Sequence, residues 1–124
     1  MRLEKVRGYN NIYAVDAFFK EYEELFGKNK KAVQQHYRML HTKLYVLDDE
    51  WRRALQYKIF EKLEGCPFYA IRQLTKLNPR IIFAYRDTTG QFFLLSCCKE
   101  KKRSDYDRAI ERAYHRISLL EVEE

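Results

Sequence analysis

Arg72, Arg80, the run Lys99-Glu100-Lys101-Lys102-Arg103 and Tyr106 are the residues whose types and spacing could do chemistry. Asn78-Pro79 lies between the two arginines and marks a turn. A hairpin there can bring both guanidiniums onto one face. The basic run falls where a strand meets a helix, and Tyr106 falls in the first turn of that helix, near the positive end of its dipole. A guanidinium fork matches a phosphate with two parallel hydrogen bonds. The same residues also fit a plainer reading, a solvated charge run beside a core tyrosine, and their types alone leave both open.

The charge is one-sided. Of the 24 Lys+Arg and 18 Asp+Glu in the chain, residues 66–118 hold 11 cations and 5 acids, so 11 − 5 = +6 is the whole net excess. Such a region favours phosphate backbones or an acidic protein segment. Lys76, Arg86, Lys102, Arg103 and Arg108 belong to it as candidate RNA-binding residues. Other chemistries lack their motifs: there is no G-x-S-x-G, no Gly-rich phosphate loop and no H-E-x-x-H. His36, His41 and His115 read as partly exposed residues, and Cys66, Cys97 and Cys98 as reduced thiols without metal-ligand spacing. No metal or cofactor is expected.

These residues need elements to position them. The 124 residues suit one domain, and 2 Pro with 4 Gly argue against a linker-rich chain. Val15, Phe18, Phe19, Tyr22, Leu25 and Phe26 predict a helix over 13–27 that Gly27 ends. Val33, Tyr37, Leu40, Leu44 and Leu47 predict a second over about 30–47, closing a helical hairpin. Three strands follow over 68–74, 80–85 and 91–97, the last apolar on both faces. A last helix opens at Ser104 as N-cap candidate and ends in the acidic tail Glu121-Val122-Glu123-Glu124. A short strand near Leu3–Val6 is an added possibility. The expected class is α+β: an N-terminal helical hairpin packed on a small antiparallel sheet, with a C-terminal helix. No apolar stretch approaches the about 20 residues that span a bilayer, so a cytoplasmic chain with no membrane partner is expected.

The strand series Phe68-Tyr69-Ala70-Ile71-Arg72, Arg80-Ile81-Ile82-Phe83-Ala84-Tyr85 and Phe92-Phe93-Leu94-Leu95 resembles the RelE/ParE toxin superfamily. So does the ending, where Lys99 to Arg103 leads into Ala109-Ile110-Glu111-Arg112-Ala113. With Lys62-Leu63-Glu64-Gly65 ahead of the arginine strand, the nearest resemblance is to the HigB-like, phage-derived branch. It covers about residues 60–118, and 13–47 only in pattern.

The resemblance implies the toxin of a type II toxin–antitoxin system, an endonuclease of free or ribosome-bound mRNA. Its partner would be a cognate antitoxin protein of helix-turn-helix type. By position, Arg72 matches a strand cation near the scissile phosphate and Arg80 the arginine that steadies the transition state. Tyr106 matches a general base, and Lys99 or Lys101 the last strand's basic residue; Glu100 stands where some members are basic. RNA supplies its own nucleophile in the 2′-OH, so such a site runs without a metal. It needs a base, cations for the phosphoryl charge and an acid for the leaving oxygen. Clustered cations would lower a tyrosine's value from about 10. Two further readings rest on the same residues: a ParE-like topoisomerase poison, and a non-catalytic inhibitor that binds nucleic acid or protein.

Overall fold

The computed structural model describes the backbone of residues 1–123 and the side chains of residues 1–120. Two strands come first, β1 (Leu3–Lys5) and β2 (Ile12–Val15). Helices α1 (Phe18–Glu24) and α2 (Lys30–Glu50) follow, then a 3-10 turn (Trp51–Gln56). Strands β3 (Phe60–Lys62), β4 (Tyr69–Arg72), β5 (Pro79–Arg86) and β6 (Gln91–Lys99) lead into α3 (Arg103–Glu123). Among the described residues the strands form one six-stranded sheet in the order β1-β2-β6-β5-β4-β3. It is mixed, because β2 runs parallel to β6 while every other pairing is antiparallel.

This corrects the expected helical hairpin on a small antiparallel sheet. The stretch assigned to one helix over 13–27 divides in two. Ile12, Ala14 and Val15 are buried in β2, with Ile12 paired to Phe92 and Ala14 to Leu94 of β6. β-branched residues that can pack on a pleated surface favour the strand, and the partner that decides it lies far along the chain. Only Phe18–Glu24 remains helical, with Phe18 and Tyr22 turned to the core.

Asn29 caps α2, its side-chain oxygen accepting the Ala32 N–H at 3.0 Å. The helix runs to Glu50, past the expected end near 47, and Asp48 within it holds the N-terminal loop, accepting the backbone N–H groups of Asn10 and Asn11. Ser104 is not the cap of α3. It lies inside the helix, and Asp105 in the first turn reaches back instead, its Oδ2 accepting the N–H groups of Lys101 and Lys102 at 3.1 and 3.2 Å. Of the acidic tail, Glu124 lies outside the described residues.

Two buried polar groups lock the layers. His36 is 2% exposed, not a surface residue, and its Nδ1 lies 2.7 Å from the Ala32 carbonyl. That nitrogen donates, since a carbonyl oxygen only accepts, and Nε2 is hydrogen-bonded to the Thr75 hydroxyl at 2.8 Å. Gln73 Nε2 donates to the His36 carbonyl at 2.9 Å, tying α2 to the turn after β4. Arg116 of α3 is also buried; it pairs with Glu21 of α1 and donates to the Leu95 carbonyl of β6. His36 and Arg116 are thus structural, because a buried polar group is stable only when it is hydrogen-bonded or paired.

Candidate functional site

Arg72 and Arg80 are direct cross-strand partners on β4 and β5, as the Asn78-Pro79 turn suggested. Such partners share one face of a sheet. Their surroundings differ sharply. Arg72 is half exposed and lies 3.6 Å from Glu61 on β3. The Arg80 side chain is only 3% exposed, its Nε donating to Glu100 Oε2 at 2.9 Å and its Nη1 to the Pro79 carbonyl at 3.3 Å.

Glu100 is itself held in place. Its N–H donates to the Asn78 carbonyl at 3.1 Å, and Asn78 Nδ2 donates back to the Glu100 carbonyl at 3.0 Å. Asn78 sits at φ 52, a left-handed conformation that asparagine adopts more readily than most residues. One turn residue therefore fixes both the hairpin and the carboxylate facing Arg80.

Tyr106 and Glu100 line one hollow of about 340 Å³, bordered also by Glu61, Lys62, Glu64, Arg103 and Asp107, with Arg72 and Arg80 behind its carboxylates. The Tyr106 hydroxyl is shut off from solvent and has no hydrogen-bond partner. Burial, then the nearby Glu61 carboxylate, push the phenol well above its ordinary value, with Arg80 pulling the other way. This reverses the direction expected from a cluster of cations. A tyrosine so placed holds its proton, which suits an acid or a hydrogen-bond donor and not a base.

Lys99 and Lys101 do not join this cleft. They line a second hollow of about 320 Å³ with Leu25, Cys97, Cys98, Asp105, Arg108 and Arg112. Alternation along a strand sends neighbours such as Lys99 and Glu100 to opposite sides. On α3, Arg103, Tyr106, Asp107 and Ile110 occupy one flank and Asp105, Arg108, Ala109 and Arg112 the opposite one, as 100° per residue requires. The basic run is therefore divided between two clefts.

The remaining candidates are scattered. Lys102 and Arg103 are exposed at the strand-to-helix junction, and Arg108 pairs with Asp105 at 2.6 Å. Lys76 is exposed in the turn after β4. Arg86 closes the far end of β5, about 20 Å along the strand from Arg80, and lies over the Phe93 ring at 5.4 Å.

Sequence reasoning missed Glu61 and Arg112 as members of these clefts, and Asn78 as the residue that holds Glu100. Asn78 alone carried a signal, its place before proline. Glu61 lies on β3, a three-residue strand too short to show a period, and Arg112 acquires its place only through the face that α3 turns to the sheet. No family model, no curated protein and no solved structure matches the chain.

Proposed function

We propose that this chain is a toxin-type RNA endonuclease that cleaves by 2′-OH attack at the Tyr106–Glu100 cleft, with Arg72 and Arg80 behind it, and that it is silenced by a cognate antitoxin protein. One observation carries the reading. A protonated, unpartnered tyrosine and a fixed carboxylate line one cleft, and two registered arginines stand behind its border, Arg80 on Glu100 and Arg72 beside Glu61. These are the group types that metal-free RNA cleavage needs.

Their roles follow from their surroundings. Arg80 steadies Glu100 through one oxygen, which leaves the other to take the proton from the 2′-OH. The O2′–P bond forms as the P–O5′ bond breaks. Arg72, the more exposed guanidinium, faces the charge that grows on the phosphoryl oxygens. Tyr106 gives its proton to the departing O5′, and the proton that Glu100 took from the 2′-OH returns through water to the tyrosinate, restoring both groups. The products are a 2′,3′-cyclic phosphate and a 5′-hydroxyl. Tyr106 thus moves from base to acid relative to the role implied by the resemblance.

The test incubates purified protein with single-stranded RNA in EDTA, alone and with translating ribosomes, and analyses the new ends. Cyclic phosphate ends are expected, with Arg72→Gln and Tyr106→Phe each lowering the rate on the order of 10²-fold. Absence of cleavage in both settings would overturn the reading. So would wild-type cleavage by the Arg72→Gln/Tyr106→Phe double variant.

A further inference from the structure

We infer that the second cleft, between the end of α1 and the first half of α3, binds a non-scissile phosphodiester of the same RNA strand. The inference rests on the endonuclease reading and assigns where the substrate's affinity comes from.

The first cleft cannot supply it. Its border sets Lys62 and Arg103 against Glu61, Glu64, Glu100 and Asp107, which is 2 − 4 = −2. Adding Arg72 and Arg80 brings it only to neutrality. A polyanion gains little from such a hollow. Binding strength for nucleic acid comes largely from cations on phosphates, so it must arise beside this cleft.

The second cleft has the required balance. Lys99, Lys101, Arg108 and Arg112 face one acid, Asp105, which is 4 − 1 = +3. That acid is already engaged. Its Oδ2 accepts the Lys101 and Lys102 backbone N–H groups, and its Oδ1 accepts from Arg108. Among the described residues Lys99, Lys101 and Arg112 have no carboxylate in ion-pair contact. Leu25, Ala109, Cys97 and Cys98 give the hollow an apolar lining. Burial, then Glu21 for Cys97 and Glu100 for Cys98, keep both thiols neutral, so they add no opposing charge.

The two clefts flank the same turns of α3, with exposed Arg103 on the border of the first and exposed Lys102 next to it at the start of the helix. A strand held in the second cleft passes Lys102 and Arg103 at the start of α3 before its scissile phosphate reaches Arg72 and Arg80. Single-stranded RNA fits this path better than an acidic peptide, because a phosphate backbone offers evenly spaced charges to both clefts.

The experiment measures fluorescence anisotropy of a labelled all-2′-deoxy oligonucleotide, which the protein can bind but not cut, across a salt series. Lys101→Gln/Arg112→Gln is expected to weaken binding roughly tenfold and to flatten the log K against log salt slope by about 0.7 per lost contact. With RNA of the same sequence the loss should fall on KM more than on kcat. Lys30→Gln/Lys31→Gln, two exposed lysines at the start of α2, is the charge-matched control and should bind like wild type. Equal losses in the two double variants, or none in the first, would overturn the inference. Binding of polyglutamate but not of the oligonucleotide would overturn it as well, by assigning the cleft to an acidic protein segment. If the wild type binds in this way yet cleaves nothing, the endonuclease reading fails and the phosphate cleft stands.

Discussion

The hydroxyls of Tyr106 and Tyr85 are both closed off from solvent without a partner. A buried donor left unmade costs about 1–3 kcal/mol. Tyr106→Phe and Tyr85→Phe are therefore both expected to hold or raise stability, by up to about 1–2 kcal/mol in urea denaturation. They should part company in activity. Tyr106 borders the Glu61–Glu100 cleft, so its phenylalanine variant should lose RNA cleavage, whereas Tyr85→Phe should cleave normally. A fall in stability for Tyr106→Phe would reveal a structural partner and remove the argument that the hydroxyl is kept for chemistry. The position of Tyr106, one turn into a helix after a basic run, was legible in the sequence. The direction of its titration was not, because that depends on burial and on Glu61, a residue of another strand.

At the scale of elements, the junction between α2 and the 3-10 turn holds an unusual residue. Trp51 adopts φ 61, a conformation uncommon for a bulky side chain. Two contacts hold it there. Its backbone N–H donates to the Leu47 carbonyl, ending α2, and its indole Nε1 donates to the Gly90 carbonyl at 3.0 Å. Gly90 ends the β5–β6 turn at φ 73, and a Cβ there would overlap the indole. Gly90→Ala is therefore expected to destabilise the protein by about 1–3 kcal/mol. Emission of the single tryptophan should shift to the red as the ring leaves its seat, and an unchanged spectrum with unchanged stability would refute this docking. Gly90 announced a turn in the sequence. Nothing there announced that a tryptophan would lie on it.

For the whole molecule, several acidic groups are buried in their neutral forms. Burial pushes Tyr37 and Cys97 up to about 12 and Cys98 to about 11, and it raises Tyr22 and Tyr106 as well. The unfolded chain gives up these protons at lower pH than the folded one, so its deprotonation draws the equilibrium toward unfolding. This contribution is complete below about pH 9 for the thiols and is lost as the pH climbs toward 11–12. Thermal midpoints measured from pH 8 to 11 should fall steadily, and Cys97→Ala/Cys98→Ala should flatten the decline; a flat wild-type profile would contradict it. By itself the sequence determined the α2 periodicity, the β4–β6 strand series, the hairpin pairing of Arg72 with Arg80 and the cationic half, all set by neighbours a few residues apart. Only the tertiary structure decided that Ile12–Val15 is a strand, through its parallel pairing with β6. It alone divided the basic run between two clefts and placed Tyr106 beside carboxylates. Each of those outcomes depends on which distant surface a residue faces, and local periodicity carries no record of that.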